Sequence, residues 1–151
     1  MEDQIKASEG PCKQAKATYV VLMAGYGRLE RYRGNYERSF TLLQRVPEDY
    51  PDIHRIYTEQ AMLFQNNPSR NRYFSLKRAE KMFRKAAEAI ERSPEGSNVK
   101  SKKCILVPLA NTYFQMHMYD KAAEVCDQVL KLDSKEHRAI ALKEQILRQA
   151  S

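Results

Sequence analysis

The chain has little of what marks a secreted, membrane-spanning or disordered protein. Among its 151 residues there is no tryptophan, and there are only 5 glycines, 6 prolines and 3 cysteines. The longest apolar stretch, residues 19–27, is far shorter than the ~20 residues that a membrane-spanning helix needs. The polar, acidic start does not resemble a secretory signal. We therefore expect a protein of the cytoplasm or nucleus, with no transmembrane segment and with unpaired thiols.

Residue types that carry catalysis are scattered along the sequence. His54, His117 and His137 fall in different predicted segments, and none has a second ligand at metal-binding spacing. Gly25-Tyr26-Gly27 is too short for a phosphate-binding loop and follows no strand. Cys104 lies beside two lysines, but the sequence offers no recognisable general base for it. We expect no enzyme activity, no cofactor and no metal site.

What the sequence does contain is a pattern that occurs twice. One copy runs from Met23 to Pro51 and the other from Leu106 to Ser134, and matched residues such as Gly27 and Ala110 are 83 positions apart. Apolar and small residues recur at the helical spacing i, i+3 and i+4, and no stretch alternates for long enough to form a strand. The sequence therefore predicts an all-α chain with an internal repeat.

The helical spacing divides the chain into about seven helices. The first starts in the region of Pro11 and ends at Gly34, and the others lie at about 36–46, 51–65, 74–92, up to 116, 120–132 and 135–149. Pro108 is expected to open or kink the fifth helix. The residues expected to face the core are Tyr19, Leu22, Met23, Tyr26, Gly27, Phe40, Leu42, Leu43, Ile53, Tyr57, Ala61, Phe64, Ala79, Met82, Phe83, Ala86, Ile90, Ala139, Ile140, Leu142 and Ile146.

The repeated pattern resembles the tetratricopeptide repeat, a 34-residue pair of helices. The residues that carry the resemblance are Leu109, Ala110, Tyr113 and Ala122, then Tyr26, Gly27, Gly34, Tyr36 and Pro51, and, in a longer middle unit, Tyr57, Ala61, Phe64, Ala79 and Phe83. The resemblance implies a right-handed superhelical array of antiparallel helix pairs, an α-solenoid. The alternative is a helical bundle without repeats.

By the same resemblance, residues 18–151 form a single domain after an N-terminal segment, 1–17, that extends the first helix. Its repeats are expected at about 20–53, 54–102 and 103–136, followed by a capping helix at about 135–149. The extra length of the middle repeat is assigned to an insertion near 66–71 and a linker near 93–102.

In this family the first helix of each pair lines a concave groove that receives a peptide or helix of a partner protein. The resemblance assigns to the groove Val21, Ala24, Arg28, Arg31, Tyr32, Arg55, Thr58, Met62, Gln65, Val107, Asn111, Phe114 and Gln115. Arginines favour an acidic or mixed peptide. One subfamily clamps the C-terminal carboxylate of chaperones with lysine and asparagine. A chaperone partner is disfavoured because the matching positions here hold Ala24, Arg28, Glu59, Cys104 and Pro108.

Charge is balanced except in one segment. Residues 68–103 hold 11 basic and 4 acidic side chains, which accounts for the whole net charge of +7. The basic patch predicted here consists of Arg70, Arg72, Lys77, Arg78, Lys81, Arg84, Lys85, Lys102 and Lys103. A protein-interaction adaptor is the leading prediction, and nucleic-acid or anionic-lipid binding through residues 70–103 is the alternative. A solvated helix face would also explain the patch.

Overall fold

Seven α-helices make up the described part of the chain, and no strand occurs there. The structure is a computed structural model that describes residues 2–46, 50, 53–67, 71–93, 96 and 98–150, with side chains for all of these except 2–14, 16, 17 and 150. The helices are α1 (Glu2–Tyr32), α2 (Tyr36–Gln44), α3 (Ile53–Asn66), α4 (Arg72–Glu91), α5 (Val99–Gln115), α6 (Tyr119–Leu132) and α7 (His137–Ala150). None of them is both long and apolar enough to cross a membrane. The predicted all-α class is confirmed.

Helices that are neighbours in the sequence pack against each other along the whole array, from α1 on α2 to α6 on α7. In addition, α1 contacts α3, α3 contacts α5, and α5 contacts α7. The odd-numbered helices therefore form one continuous layer. The even-numbered helices pack onto this layer and do not contact one another within the described residues.

The turn between α1 and α2 shows how the first helix pair is formed. Asn35 N donates to Glu30 O at 2.9 Å, and Gly34 N donates to Arg31 O at 3.0 Å. This pair of bonds satisfies carbonyl groups at the end of α1, and it requires a left-handed residue at the turn. Gly34 supplies that residue with a φ of 82°, and α2 begins at Tyr36.

The turn between α5 and α6 has the same hydrogen bonds 83 residues further on. Met118 N donates to Tyr113 O at 2.9 Å, and His117 N donates to Phe114 O at 3.0 Å. His117 takes the left-handed position with a φ of 62°, and α6 begins at Tyr119. The sequence repeat is therefore also a repeat of backbone geometry.

The starts of two helices differ from the periodicity of the sequence. α1 begins at Glu2, so Pro11 does not lie in its first turn, and residues 2–17 belong to the same helix. α5 begins at Val99, because the side chain of Asn98 accepts a hydrogen bond from the backbone of the first turn at 3.1 Å. Residues 99–102 are thus helical rather than part of the linker, and Pro108 lies inside α5 instead of opening it. Pro47 and Pro51, which follow the predicted second helix, lie outside the described residues.

The buried side of α1 differs in part from the predicted one. Gly27 is buried as predicted and Met23 is half-buried, but Tyr19, Leu22 and Tyr26 are exposed. The side chains that α1 buries against α2 and α3 are instead those of Val20 and Ala24. The reason is that no described helix covers the second side of α1. By contrast, Ala79, Phe83, Ala86, Ile90, Ala139, Leu142 and Ile146 of α4 and α7 are buried as predicted. Met82 is only half-buried, and Ile140 is 38% exposed, so the prediction for Ile140 is wrong.

α1 and α2 approach closely at Gly27. A Cβ atom on this residue would lie only 2.7 Å from Cδ2 of Leu43, which is itself buried. The hydroxyl of Ser39 also donates to the carbonyl of Gly27 at 2.8 Å. The close packing predicted at Gly27 is confirmed. Nothing comes within 4 Å of the corresponding position on Gly25, so the second glycine faces open space.

Candidate binding groove

A groove follows the layer of odd-numbered helices. Its first pocket, about 430 Å³, lies between α1, α3 and α5, and its second, about 380 Å³, lies between α3, α5 and α7. Thr58 lines the first and Met62, one turn further along α3, lines the second. We call the two pockets together the inner groove.

Residues from several turns of each helix line the inner groove. The first pocket is lined by Val21, Ala24, Gly25, Arg28, His54, Arg55, Thr58, Glu59, Asn98, Lys100, Ser101, Cys104 and Ile105. The second is lined by Met62, Gln65, Val107, Pro108, Asn111, Arg138, Ala141, Leu142 and Gln145. No residue of α2, α4 or α6 is among them. The described part of the basic patch on α4 therefore lies away from the groove.

A buried carboxylate organises the first pocket. Glu59 is 4% exposed, and it accepts hydrogen bonds from Arg28 Nε at 2.8 Å and from Arg31 Nη2 at 3.4 Å. The hydrogen bond to Glu59, helped by charge attraction, raises the pKa of Arg28 above its ordinary value. Arg31 is buried, whereas the side chain of Arg28 is 56% exposed. Glu59 on α3 thus holds two arginines of α1 in place, and one of them remains accessible.

Nine of the thirteen residues that the resemblance assigns to the groove line the two pockets. Those in the first pocket are Val21, Ala24, Arg28, Arg55 and Thr58, and those in the second are Met62, Gln65, Val107 and Asn111. Thr58 donates its hydroxyl hydrogen to a backbone carbonyl of its own helix at 2.7 Å, and its side chain faces the pocket. The structure therefore brings these nine residues onto one surface, where their role as partner contacts remains a prediction.

The other four predicted groove residues, Arg31, Tyr32, Phe114 and Gln115, line neither pocket. Phe114 is half-buried and packs against Tyr119 of α6. Arg31 is turned towards Glu59, and Tyr32 is exposed at the last position of α1. Gln115 accepts a hydrogen bond from Arg72 Nη2 at 2.7 Å, which joins a predicted groove residue to a residue of the predicted basic patch. Arg31 and Gln115 thus form contacts within the fold, and Tyr32 lies at the end of α1.

Gln65 joins α3 to α5 beneath the second pocket. This residue is buried, and its Nε2 donates to Pro108 O at 3.0 Å and to Thr112 Oγ1 at 2.8 Å. Proline has no N–H group, so the carbonyl of Cys104 has no donor four residues further along α5. Cys104 and Pro108 line successive pockets. The backbone carbonyl of Cys104 therefore lacks its usual helical hydrogen bond, and it lies between the two pockets.

Three charged residues of the groove, Glu59, Lys100 and Arg138, are not among those predicted from the sequence. Lys100 was assigned to the linker, Arg138 to a capping helix, and Glu59 was noted only as a mismatch with the chaperone clamp. The signal for Lys100 was Asn98, a residue type that starts helices. The signal for Glu59 was a pair of arginines, Arg28 and Arg31, spaced to lie on neighbouring turns of the facing helix.

An ion-pair cluster holds one end of the predicted basic patch. Lys103 Nζ lies 2.8 Å from Asp133 Oδ2 and 3.0 Å from Glu136 Oε2, and Glu136 also accepts from Arg138 Nε at 2.7 Å. The bonds from Arg138 and Lys103 lower the pKa of Glu136 to about 2. The Lys103 bond also lowers the pKa of Asp133. Lys103 therefore joins α5 to the start of α7 and is not a free cation.

The remainder of the basic patch lies mainly on the solvent side of α4. Lys77, Arg78, Lys81 and Arg84 are exposed, and Lys85 is half-buried. Arg84 pairs with Glu80 at 2.9 Å, and Lys102 of α5 pairs with Glu91 at 3.1 Å. Arg70 lies outside the described residues. The structure thus concentrates the unpaired positive charge of this segment on one side of α4.

Nucleophiles and metal ligands do not cluster in the described residues. No group of three or more His, Cys, Asp or Glu that could hold a metal ion occurs there. Cys126 is fully buried, and burial raises the pKa of its thiol to about 11. His117 Nδ1 lies 2.8 Å from Tyr119 Oη at the surface, far along the chain from His54 in the first pocket.

No model of a known protein family matches this chain, and a comparison with curated proteins finds no match either. The resemblance to the tetratricopeptide repeat therefore depends on the sequence pattern and on the two turns with equal hydrogen bonding.

Proposed function

We propose that the protein is a non-enzymatic adaptor of the tetratricopeptide-repeat type, working in the cytoplasm or nucleus. In this proposal the inner groove binds an acidic or mixed peptide, or a helix, of a partner protein. The observation that supports this proposal is the charge of the first pocket. Arg28, Arg55 and Lys100 line it with exposed side chains, whereas its lining carboxylate, Glu59, is buried and bonded. A groove that presents cations beside apolar side chains is complementary to a peptide with carboxylates.

A chaperone C-terminal carboxylate is a poor fit for the same pocket. Glu59 stands at a position where the clamp of the resembling subfamily has a neutral asparagine, and its carboxylate already accepts from Arg28. A terminal carboxylate brought beside it would face a buried like charge, which costs free energy. We therefore propose carboxylates on side chains, bound further out by Arg55 and Lys100.

The test compares ten-residue peptides rich in glutamate and leucine with the same peptides carrying glutamine instead. We expect the glutamate set to bind, and the double variant Arg55→Glu with Lys100→Glu to weaken binding by about tenfold or more. Arg28 is left unchanged, because a carboxylate beside Glu59 would disturb the fold itself.

A matched control reverses two cations on the other side of the molecule, in the variant Lys77→Glu with Lys81→Glu. Binding of the glutamate peptides should be unchanged by it. Equal loss in both double variants, or equal affinity for the glutamate and glutamine peptides, would contradict a groove that recognises carboxylates.

A second candidate function is binding of nucleic acid or anionic lipid by α4. The observation in its favour is that Tyr73 and Phe74 are exposed beside Lys77 and Lys81, and aromatic rings next to cations can contact both bases and headgroups. Retention of single-stranded RNA or of phosphatidylserine vesicles should then fall steeply with salt and be lost in Lys77→Glu with Lys81→Glu. No retention at low salt would reject this candidate.

A further inference from the structure

The second side of α1 carries a stripe of large apolar side chains that no described residue covers. Leu22, Tyr26 and Leu29 follow one another on successive turns and are 66%, 48% and 45% exposed. Arg33 continues the stripe just past the end of α1 and is also exposed. We call Leu22, Tyr26 and Leu29 the outer face of α1. Contiguous exposed apolar surface of this kind usually marks an interaction site.

Five of the six corresponding positions of the later odd-numbered helices are buried. In α5 the residues 83 positions further on are Ile105, Leu109 and Thr112, each at most 5% exposed. In α3, where the repeat offset is 34, Ile56 and Leu63 are at most 2% exposed, and the match of Tyr26 is the polar, half-buried Gln60. The difference cannot come from the turn, because the α1–α2 and α5–α6 turns have the same hydrogen bonds.

In both later cases the covering element is the second helix of the preceding pair. Ile105 shares an apolar cluster with Ala86 and Ile90 of α4, and Leu109 shares one with Phe83. α3 is covered by α2 in the same manner. α1 has apolar residues of equal or larger size at these positions, and no described helix precedes it.

We propose that the outer face of α1 docks an amphipathic helix of a partner protein, in the place that α4 occupies against α5. The chemistry of the partner follows from α4 and from charge. Its apolar stripe should repeat at i, i+4, i+7 and i+11 with mostly small side chains, as Ala79, Phe83, Ala86 and Ile90 do. This surface is separate from the inner groove, so the proposal does not depend on what the groove binds.

Charge favours acidic residues beside that stripe. The guanidinium group of Arg33 is exposed at the end of the outer face, whereas the carboxylate that it contacts, Glu30, is buried. A second copy of this chain would bring another exposed arginine to this surface and no carboxylate for Arg33, so it offers no opposite charge. The partner helix should therefore carry carboxylates on its flanks.

The probes for this docking are two helix-stabilised peptides with the sequence of α4, residues 72–91. One keeps that sequence, and the other carries Arg78→Glu and Lys85→Glu, which makes both flanks of its apolar stripe acidic. Constraining the peptides removes the cost of forming a short helix in water. Fluorescence anisotropy with the full chain should give tighter binding for the acidic probe, and Arg33→Glu should remove its advantage.

The decisive variant is Leu22→Gln with Leu29→Gln, which removes apolar contact area without touching the core. We expect it to weaken binding of the acidic probe by about tenfold. Leu147→Gln on α7 is the matched control, because Leu147 is 67% exposed and lies on another helix. Arg55→Glu with Lys100→Glu in the groove should also leave this binding unchanged.

Three outcomes would overturn the proposal. They are absence of saturable binding of the acidic probe, equal binding by the Leu22/Leu29 double variant, and a wild-type dimer in sedimentation that the double variant converts to a monomer. The last result would assign the outer face of α1 to a second copy of the chain.

Discussion

The first helix pair, α1 and α2, meets α3 through an apolar cluster. The third pair, α5 and α6, meets α7 at the matched positions through ion pairs. Val20 of α1 packs in an apolar cluster with Tyr50 and Ile53, at the entrance to α3. The residues 83 positions further on are Lys103, Asp133 and Glu136. These three form the ion pairs that join α5 to the start of α7.

At a second set of matched positions the first junction is ionic and the other is apolar. Arg31 and Glu59 form a buried ion pair between α1 and α3, whereas the matched residues, Phe114 and Leu142, take part in the apolar cluster between α5 and α7. The backbone geometry of the helix pair is thus compatible with either chemistry. What it requires is that each contact be complete, since a lone charge or a lone cavity at a buried site is costly.

The largest effect is expected where one partner of a buried ion pair is removed. Glu59→Leu introduces leucine, the residue type found at the matched position, Leu142 of α7. The guanidinium group of Arg31 then stays buried without the carboxylate with which it pairs. We expect the free energy of unfolding, measured in urea, to fall by about 3 kcal/mol. Adding Arg31→Phe, which reproduces the apolar pair of the other junction, should recover much of that loss.

The matched control for Glu59→Leu is Arg28→Gln. Arg28 contacts the same carboxylate, but its side chain is 56% exposed, so its removal should cost less than about 1 kcal/mol. If Glu59→Leu cost no more than Arg28→Gln, the buried pair would not be a structural element of the junction.

The next effect concerns the closest contact within each helix pair. The first pair combines Gly27 with Leu43, and the third combines Ala110 with Cys126, so a small residue on one helix faces a larger one on the other. Gly27→Ala should destabilise the protein by about 1–3 kcal/mol, because the added methyl group overlaps the buried Leu43 side chain.

Two further variants sharpen this comparison. Gly25→Ala faces open space on the same helix and should stabilise the protein by about 0.5–1 kcal/mol through helix propensity alone. Leu43→Cys should partly relieve Gly27→Ala, giving a favourable coupling in a double-mutant cycle. If the two effects were additive in that cycle, the overlap of the added methyl group would be relieved by movement of groups other than the Leu43 side chain.

A smaller effect is expected at the two turns. His117 holds the left-handed conformation that Gly34 holds in the first pair, and this conformation is unfavourable for residues with a Cβ atom. His117→Gly should therefore raise the free energy of unfolding by up to about 1 kcal/mol. The comparison is best made in a Tyr119→Phe background, which removes the hydrogen bond between Tyr119 and His117. If His117→Gly lowered the free energy of unfolding in the Tyr119→Phe background, the conformation of His117 would not be strained.

The smallest effect concerns the ionic junction and depends on pH. The pKa of Glu136 is lowered from 4.5 to about 2 in the folded state, so its ionisation stabilises the fold at pH values above about 4.5. This stabilisation is lost as the pH falls towards 2. The difference in unfolding free energy between the wild type and Glu136→Gln should be constant from pH 7 to about 5 and then shrink. A difference independent of pH would show that the carboxylate is not coupled to folding.

The sequence was sufficient for the all-α class and for most of the core residues of α4 and α7, because the periodicity of each of these helices shows one apolar side. It misled for α1, which has two apolar sides, one with Val20 and Ala24 and the other with Leu22 and Tyr26. Periodicity cannot tell which side has a covering helix, since that depends on neighbours far along the chain.

Similar limits applied to the inner groove. Arg28, Arg55 and Asn111 could be placed there by the repeat pattern, but the pairing of Arg31 with Glu59 could not, because it joins residues of different helices. Lys100 was missed because the start of its helix is set by the side-chain cap of Asn98, which apolar periodicity does not show. Caps and interhelical ion pairs are set by single atoms, which a pattern of residue types does not resolve.

The groove also differs between its two ends, with three cations, Arg28, Arg55 and Lys100, at the first pocket and one, Arg138, which is paired with Glu136, at the second. The most direct test of the account is to titrate the uniformly ¹⁵N-labelled chain with a glutamate-rich peptide and to follow the backbone amide shifts. The account predicts shifts concentrated around Arg28, Arg55 and Lys100. Shifts confined to α4 would contradict it and would favour the basic patch as the functional surface.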